Sequence, residues 1–411
     1  MLRSCGRGVL AVAVLGWIVA SAASPAVAQG PNVEVVVEHD LYAGGLISAS
    51  LSQYLSDITG QGYTPILTTI YTATDSPTDL RNHLANRYNT QGLAGVVFIG
   101  HLPVGTIYTA AGGGIVAEAH ASDLFFADLD GSWTVGGSGG ILPDTHTAGT
   151  GDPGPEIWVG RLTTWNLAYV HPGRTEAGLL NTYLAKNHAY RTGAISVPRT
   201  GLAYTDDDWD HNMRRDALTL AVEGTVNDVW NDPATPGDET TAANYKSRLA
   251  NESYEHVLLS SHSDSTGHFM NGSVMNTDLA GLDPENLFYN LFACSAARYT
   301  DFGYIAGEYV FGDGLGLVAV GTTKTGGMMS DTMDDYFGPL GQGSTFGEAM
   351  LDWWNTAVDP GGHTDIERAW YYGMTVIGDP LLVTQAYIPE PATLTLLALG
   401  GLGMLARRRR K

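Results

Sequence analysis

The feature that most limits the possible folds of this chain is a regular alternation of strand-like and helix-like segments between residues 32 and 99. The Val-rich segment Asn32–Glu38 predicts a strand, and the apolar spacing in Leu46–Thr59 predicts an amphipathic helix. A second strand at Tyr63–Thr69, a helix at Pro77–Tyr88 and a buried strand at Ala94–Ile99 follow. This β-α-β-α-β order predicts a parallel sheet with right-handed crossovers.

The rest of the chain continues this α/β pattern. Glycine-rich Gly112–Gly140 is predicted to be irregular apart from an aromatic run, and a strand at Glu156–Arg161 and a helix at Thr175–Tyr190 follow. After a short linker, a strand at Thr200–Tyr204 opens a second half, with a helix around Arg214–Glu223. The linker is too short to separate two distant domains, so we expect two subdomains packed side by side, each with a mainly parallel sheet flanked by helices.

Both ends of the chain carry export features. Residues 1–28 combine arginines, an apolar run and small residues at a cleavage point, as in a secretory signal peptide. The other end reads Pro389-Glu390-Pro391, then apolar residues 392–406, then five basic residues. This tail resembles the PEP-CTERM sorting signal of Gram-negative bacteria, and the resemblance implies transient anchoring in the cytoplasmic membrane, removal by an exosortase and release to the cell surface or extracellular matrix. The alternative is a plain tail anchor.

The charge of the chain restricts its partners. It contains 43 acidic and 21 basic residues, a net charge of −22 at pH 7. Such a field repels nucleic acids and anionic membrane surfaces and can attract cationic peptides. Acidity that serves only solvation is the alternative reading, and net charge alone does not separate the two.

Two later apolar runs each lead to a side chain suited to catalysis. Residues 256–261 lead to His262, and residues 286–293 lead to Cys294, the one cysteine left once Cys5 departs with the leader. The carboxyl ends of neighbouring parallel strands converge on one crevice, so a thiol and an imidazole can meet there. A lone cysteine can also be buried and merely fill space. Because an exported protein meets oxidants, a retained thiol favours the catalytic interpretation.

Four further segments carry a resemblance when they are taken in order with these two strands: Asp123–Trp133, Glu156–Leu162, Phe346–Ala349 and Val376–Leu382. The set resembles the gingipain-type cysteine peptidases, which have a caspase-like, Rossmann-like α/β fold. The resemblance extends over nearly the whole mature chain. It implies an exported cysteine endopeptidase that acts on proteins or peptides through a thioester intermediate and requires no cofactor.

Carried over to this sequence, the resemblance implies that Cys294 is the nucleophile and His262 its imidazole partner. His268 is the nearest competitor, but only His262 directly follows the apolar strand. The family supplies backbone N–H groups to the oxyanion from the cysteine and from a glycine after the histidine. Here Ser263 stands in place of that glycine, and serine adopts unusual backbone angles less readily. The resemblance therefore predicts an oxyanion hole that is weakened or built differently.

An acidic run at residues 206–210 follows the first strand of the second half. The resemblance implies a carboxylate that orients the histidine, for which Asp206 is the candidate, and another that selects basic substrate side chains, for which Asp210 is the candidate. A solvated turn or a calcium-holding loop is the alternative for this run. Asp128–Gly131 also has some features of a calcium loop but lacks the other ligands of an EF-hand, so we assign no metal ligand.

These observations predict four regions: a signal peptide (1–28), an N-terminal α/β subdomain (32–199), a caspase-like catalytic subdomain (200–388) and a sorting tail (389–411). The functional hypothesis is a secreted cysteine endopeptidase with a possible preference for basic residues before the scissile bond. The alternative is a catalytically inactive surface or matrix protein that uses the same scaffold for binding, because a fold does not fix a function.

Overall fold

The computed structural model of the protein describes residues 30–388, apart from residues 110–115, 136–140, 153, 169, 235–236, 327–331 and 358–369. The predicted signal peptide and the sorting tail lie outside the described residues. Within the described ranges, none of the helices has the length and apolar character needed to cross a membrane.

The described residues of the first half of the chain form eight strands and five helices. Their bounds are β1 Asn32–Val37, α1 His39–Ala43, α2 Ser48–Gly60, β2 Thr64–Thr68, α3 Pro77–Gln91, β3 Leu93–Ile99, β4 Thr106–Thr109, β5 Glu118–Ala121, α4 Leu124–Ala127, β6 Ser132–Val135, β7 Ile141–Thr147, β8 Trp158–Leu162 and α5 Glu176–Arg191.

The second half adds the remaining described elements. Their bounds are β9 Gly201–Thr205, α6 His211–Thr219, β10 Val226–Val229, α7 Ala242–Asn251, β11 His256–Ser260, β12 His262–Ser263, β13 Gly267–Met270, β14 Gly272–Met275, α8 Asn276–Leu282, β15 Phe288–Phe292, α9 Ile305–Phe311, β16 Val318–Thr322, α10 Asp334–Leu340, α11 Phe346–Ala357 and β17 Met374–Gly378, followed by a 3-10 turn at Gln385–Tyr387.

Strands from both halves form one ten-stranded sheet in the order β10-β9-β11-β15-β16-β17-β8-β3-β1-β2. Every neighbouring pair in it is parallel except β16 and β17. The predicted α/β class and mainly parallel sheet are confirmed. The halves do not keep separate sheets, because β17 lies beside β8 and pairs with it through Ile377 and Arg161.

The segment predicted to be irregular, Gly112–Gly140, contains regular structure, and that prediction is wrong. Its described residues form β5, α4 and β6, and a four-stranded sheet has the order β5-β4-β7-β6. The strands β5 and β6 have only four residues each, which is too short for a periodic pattern to be recognised from the sequence.

Local sequence signals explain the elements of the main sheet. The side chain of Ser76 caps α3 by accepting a hydrogen bond from the Asp79 N–H, Pro77 occupies the first turn, and Gly92 ends the helix in the left-handed conformation with φ 64°. Val33 and Val35–Val37 of β1 are buried, as a strand with helices on both faces requires.

The order of the strands fixes where a site can form. β9 lies between β10, the next strand in the chain, and β11, so the chain leaves β9 in one direction and later returns on its other side. Such a switch point opens a crevice at the carboxyl ends of the strands. The acidic run follows β9 at this edge, and His262 follows β11.

Candidate active site

His262 and Cys294 leave two adjacent strands at matching positions. β11 and β15 are parallel neighbours, and their last registered pair is Ser260 with Phe292. Each candidate residue therefore stands two positions beyond this pair. Neighbouring strands lie about 4.8 Å apart, so the register brings the two chain segments to the same point of the sheet edge.

The imidazole of His262 has a carboxylate partner and an aromatic neighbour. Its Nε2 lies 2.7 Å from Oδ2 of Asp208, and its ring centroid lies 5.0 Å from that of Trp209. Trp209 also contacts Phe292, with ring centroids 6.5 Å apart, so one indole touches both the histidine and the strand that leads to Cys294. The side chain of His262 is 59 % exposed and that of Asp208 is 68 % exposed, so a substrate can reach the imidazole.

Cys294 is a free, partly exposed thiol. Its Sγ accepts a hydrogen bond of 3.3 Å from the N–H of Gly326, in the loop after β16. The next residue, Ser295, has φ 54°, a left-handed conformation that is unusual for serine. The Ser295 N–H donates to the carbonyl of Lys324 at 2.9 Å. The backbone around the thiol is thus held by the loop that follows the neighbouring strand.

The competing histidines lie in very different surroundings. His268 and His256 are buried, and burial lowers the pKa of each imidazole to about 3. Neither ring nitrogen of His268 has a hydrogen-bond partner among the residues that the structure describes. Such a ring stays neutral and inaccessible at neutral pH, so the exposed His262 is the better acid-base candidate.

The acidic run supplies a partner for the histidine, but through a different residue from the one predicted. Asp206 was chosen from the sequence, whereas the carboxylate that contacts His262 belongs to Asp208. The Asp206 side chain is hydrogen-bonded to Thr240, and burial raises the pKa of its carboxyl. The backbone explains why Asp208 rather than Asp206 contacts the histidine. The Asp206 N–H donates to the Ser260 carbonyl at 3.0 Å, so Asp206 still follows the sheet, and the loop projects outward only after it.

Asp210, the predicted selector of basic side chains, caps helix α6. Its Oδ1 accepts hydrogen bonds from the backbone N–H groups of Asn212 at 2.9 Å and Met213 at 3.4 Å. The residue is exposed, and its second carboxylate oxygen makes no hydrogen bond to a described residue. A substrate role for that oxygen remains a prediction.

Ser263 belongs to a hairpin and shows no backbone strain. Of the described residues other than glycine, Asp283 and Ser295 alone have positive φ, so Ser263 has an ordinary backbone conformation. Its Oγ donates to the carbonyls of Asp264 at 2.8 Å and Gly267 at 2.9 Å. The backbone penalty expected for serine at this position does not arise.

The hairpin also determines where the Ser263 N–H points. The Asp264 N–H donates to the Gly267 carbonyl at 3.0 Å, and Ser263 pairs with His268 one step further along the ladder. Hydrogen-bonded and non-hydrogen-bonded pairs alternate in an antiparallel ladder. The Ser263 N–H therefore points away from β13.

Sequence reasoning missed a buried cation beneath the two strand ends. Arg214 of α6 is only 2 % exposed, its Nε donates to Ser260 Oγ at 3.0 Å, and its guanidinium lies 4.0 Å from the ring centre of Phe292. Within the described part of the chain, no carboxylate forms an ion pair with it. Burial lowers its pKa to about 10, so it is still charged at neutral pH. One arginine in a helix offers no sequence pattern that would have revealed this role.

Comparison with known proteins decides the family of this chain. The sequence profile of peptidase family C25 matches residues 49–385, and a profile of the PEP-CTERM protein-sorting motif matches residues 388–411. The chain belongs to peptidase family C25. It is therefore a cysteine-type peptidase, and its sorting motif marks it for export to the cell surface.

Solved structures agree with this fold. The Arg-specific cysteine proteinase gingipain R (RgpB) is similar with a TM-score of 0.58 and 15 % identity, over 87 % of this chain and 78 % of that chain. The complex of the Porphyromonas gingivalis RgpB pro- and mature domains has a TM-score of 0.58 and 14 % identity, over 86 % of this chain and 79 % of that chain. The predicted gingipain-like fold is confirmed. No curated protein sequence matched the chain significantly.

One family motif of this C25 peptidase serves the fold. Asp379, in the segment Val376–Leu382, is buried and accepts hydrogen bonds from Tyr54 at 2.9 Å and from Asn187 at 2.8 Å. It also forms an ion pair with the buried Arg191. The carboxylate links helices α2 and α5 to the end of β17, which explains the motif by packing alone.

A cluster of carboxylates lies where the sequence suggested a calcium loop. Oxygen atoms of Asp128, Asp130 and Glu156 lie within 4.8 Å of one another, and the sequence analysis had not included Glu156. Protein donors already occupy both oxygens of Asp128, which accepts from the Gly131 N–H at 2.6 Å and from His146. Burial, followed by repulsion from the two aspartates, raises the pKa of Glu156 to about 7.

Proposed function

We propose that this C25 peptidase hydrolyses peptide bonds with Cys294 as the nucleophile and His262 as its acid-base partner. The observation that carries the proposal is the register of β11 and β15, which puts both residues two positions beyond the same strand pair. The exposure of the imidazole and the partial exposure of the thiol support it, because both groups must reach a substrate.

The contacts of His262 suggest how it acts. The Asp208 carboxylate accepts a hydrogen bond from Nε2–H, which leaves Nδ1 of the imidazole as the proton acceptor. His262 can then take the thiol proton and later give it to the leaving amine. The thiolate attacks the peptide carbonyl, the amine departs to leave a thioester, and water hydrolyses the thioester.

The tetrahedral intermediate needs fixed donors for its oxyanion. The backbone N–H groups of Ser263 and Cys294 are the proposed donors, and the outward direction of the Ser263 N–H supports its part in this role. The buried cation Arg214 adds a positive charge below the site, where negative charge develops during the reaction.

Hydrolysis of a peptide library by residues 29–388 in a reducing buffer tests the proposal. Cys294→Ala should abolish cleavage without changing the fold, and His262→Ala should lower kcat/KM by about 100-fold or more, the usual range for a general acid-base group. His268→Ala is the matched control and should retain most activity if it folds. Full activity of Cys294→Ala refutes the mechanism, and an inactive natural chain favours a binding role for the scaffold.

We further propose that Asp210 favours basic residues before the scissile bond. The support is its second carboxylate oxygen, which makes no hydrogen bond to a described residue at the exposed edge of the site, and the similarity to gingipain R, which is named Arg-specific. Asp210→Asn is a clean test, because asparagine caps a helix as well as aspartate but carries no charge. The substitution should lower the preference for Arg or Lys by about 5-fold or more, while Asp216→Asn, on the exposed face of α6, leaves it unchanged. An identical profile for Asp210→Asn removes this residue from the substrate pocket.

The sorting motif and the charge complete the proposal. We infer that residues 392–406 anchor the chain transiently in the cytoplasmic membrane of a Gram-negative bacterium until an exosortase-type enzyme cleaves the tail. The substrates are proteins or peptides rather than nucleic acids, which the net charge of −22 repels. The reaction needs no cofactor, since the thiol and imidazole supply the nucleophile and the proton carrier.

A further inference from the structure

Residues 324–326, in the loop after β16, form three hydrogen bonds with Cys294 and Ser295. The Gly326 N–H donates to Cys294 Sγ at 3.3 Å, and the Ser295 N–H donates to the Lys324 carbonyl at 2.9 Å. The hydroxyls of Ser295 and Thr325 lie 2.8 Å apart and share a hydrogen bond. The position of residues 324–326 therefore sets both the donor that faces the sulfur and the strained residue that follows it.

A carboxylate from the first half of the chain holds this loop. Oε1 of Glu118, in β5, accepts hydrogen bonds from Lys324 Nζ at 2.7 Å and from the Thr325 N–H at 2.6 Å. Its Oε2 pairs with Arg298, whose Nε donates to the carbonyl of Thr323 at 2.7 Å. The same glutamate thus binds the loop after β16 and the segment after Cys294.

The charged neighbours of Glu118 favour the ionised form of its carboxyl group. The Lys324 side chain is 0 % exposed, so its ammonium depends on Glu118 for a counter-charge. Burial alone would raise the pKa of Glu118, but hydrogen bonds from Lys324 and Thr325 and the charge of Arg298 outweigh burial and lower it. Without the carboxylate, a buried ammonium would remain unpaired and the loop would have to move.

We propose that Glu118 is a positioning residue for the thiol: it fixes residues 324–326 so that the Gly326 N–H faces the Cys294 sulfur. This inference rests on the proposed function of Cys294. A backbone N–H that faces the sulfur stabilises the negative charge that the sulfur carries when it attacks a substrate. Glu118 itself does not contact the sulfur, and its effect passes through the backbone of Thr325 and Gly326.

Two variants of the mature chain test this role. Glu118→Gln keeps the size of the side chain but removes the charge. Glu118→Asp keeps the charge but shortens the side chain by one methylene, which moves the carboxylate away from the loop. In both, kcat should fall by about 10- to 100-fold, the effect of a misplacement of about 1 Å, while KM changes by less than about 2-fold. The pH of half-maximal iodoacetamide labelling of Cys294 should also rise.

Glu34→Gln is the matched control. Glu34 is buried, whereas Glu118 is partly buried, and both are hydrogen-bonded carboxylates. Glu34 contacts Thr68 at 2.6 Å and His83 at 2.5 Å, but it lies on β1, four strands away from β16 in the sheet. It should lower thermal stability while leaving the labelling profile and the ratio of kcat to KM unchanged. A purely structural role for Glu118 would give the same result as this control.

The outcomes separate the two proposals. If folded Glu118→Asp keeps the natural labelling profile and kcat, the positioning role is refuted, whether or not Glu118→Gln folds. If Cys294→Ala keeps full hydrolysis, the proposed function fails, whereas labelling of Cys294 in the natural chain and in Glu118→Asp still reports on the loop. A shifted labelling profile together with a reduced kcat supports both.

Discussion

Replacing Glu176 with glutamine should stabilise the folded protein at alkaline pH. Glu176 begins α5, and its buried Oε1 has no hydrogen-bond partner within the described part of the chain. The side chain approaches Gly100, at the end of β3, where Glu38 is also close. Burial, with a smaller contribution from the charge of Glu38, raises the pKa of Glu176 from 4.5 to about 7.

The sign and size of the effect follow from linkage. Because the folded pKa lies above the unfolded one, Glu176 contributes its full stabilisation below pH 4.5 and loses it as pH rises through 7. The difference between 7 and 4.5 corresponds to about 3 kcal/mol at 1.36 kcal/mol per unit of pKa. About 1 kcal/mol of this loss has already occurred at pH 5.5, which leaves about 2 kcal/mol to be lost between pH 5.5 and pH 8.5. Glutamine is neutral at every pH and avoids this loss.

Urea unfolding of residues 29–388, followed by tryptophan fluorescence at pH 5.5, 7 and 8.5, measures the effect. The free energy of unfolding of Glu176→Gln should exceed that of the natural chain by about 2 kcal/mol more at pH 8.5 than at pH 5.5. Glu285→Gln, at an exposed glutamate, should show no such trend. A constant difference across this range, or a variant that is less stable at pH 8.5, would show that folded Glu176 is ionised with a favourable partner.

Four other perturbations have defined outcomes. Asp208→Asn should lower kcat by about 2- to 5-fold, the range for an exposed charged contact, and Asp206→Asn should lower it less. The opposite ranking in a peptide assay would return the orienting role to Asp206. Asp379→Ala should reduce the free energy of unfolding by about 3–5 kcal/mol, because it leaves the buried Arg191 unpaired, and a loss below 1 kcal/mol in urea unfolding contradicts this account. Replacement of Glu390 should leave the chain uncleaved and membrane-bound in a host with an exosortase, as immunoblots of cell fractions would show, and normal release argues against the sorting role. EDTA should leave hydrolysis and Tm unchanged, whereas a calcium-dependent rise in Tm would assign an ion to the carboxylate cluster at residues 128, 130 and 156.

The parts of the fold that the sequence predicted correctly are those with strong apolar periodicity. β1 was placed at Asn32–Glu38 and is found at Asn32–Val37, and β3 was placed at Ala94–Ile99 and is found at Leu93–Ile99. Buried parallel strands form continuous apolar runs, so their sequence signal is strong. The union of the two halves in one sheet was not predictable, because it depends on β17, the last strand of the sheet in chain order, which is antiparallel to β16 and parallel to β8.

Some features of the candidate site were likewise predictable from the sequence, and others were not. The positions of His262 and Cys294 follow from two apolar strands and the rule that parallel strand ends converge. The choice between Asp206 and Asp208 depends on where the loop leaves the sheet, and neighbouring carboxylates in a loop have no periodicity that reveals it. Glu118 was also missed, because it comes from a four-residue strand in a segment that was expected to be irregular.

The departure from the family at Ser263 shows why one unexpected residue is a weak argument against activity. Serine was expected to resist the backbone conformation that a glycine adopts at this position. Ser263 nevertheless has an ordinary φ, and its hydroxyl donates to two carbonyls of the same hairpin. The unusual backbone lies at Ser295, directly after the thiol, where a left-handed residue costs about 1–3 kcal/mol unless its surroundings hold it. Its N–H and hydroxyl both bind residues 324–325, the segment that Glu118 holds. The conformation next to the thiol and the donor to its sulfur therefore depend on the same loop, so substitutions at Glu118 bear on activity more directly than the exchange of glycine for serine at position 263.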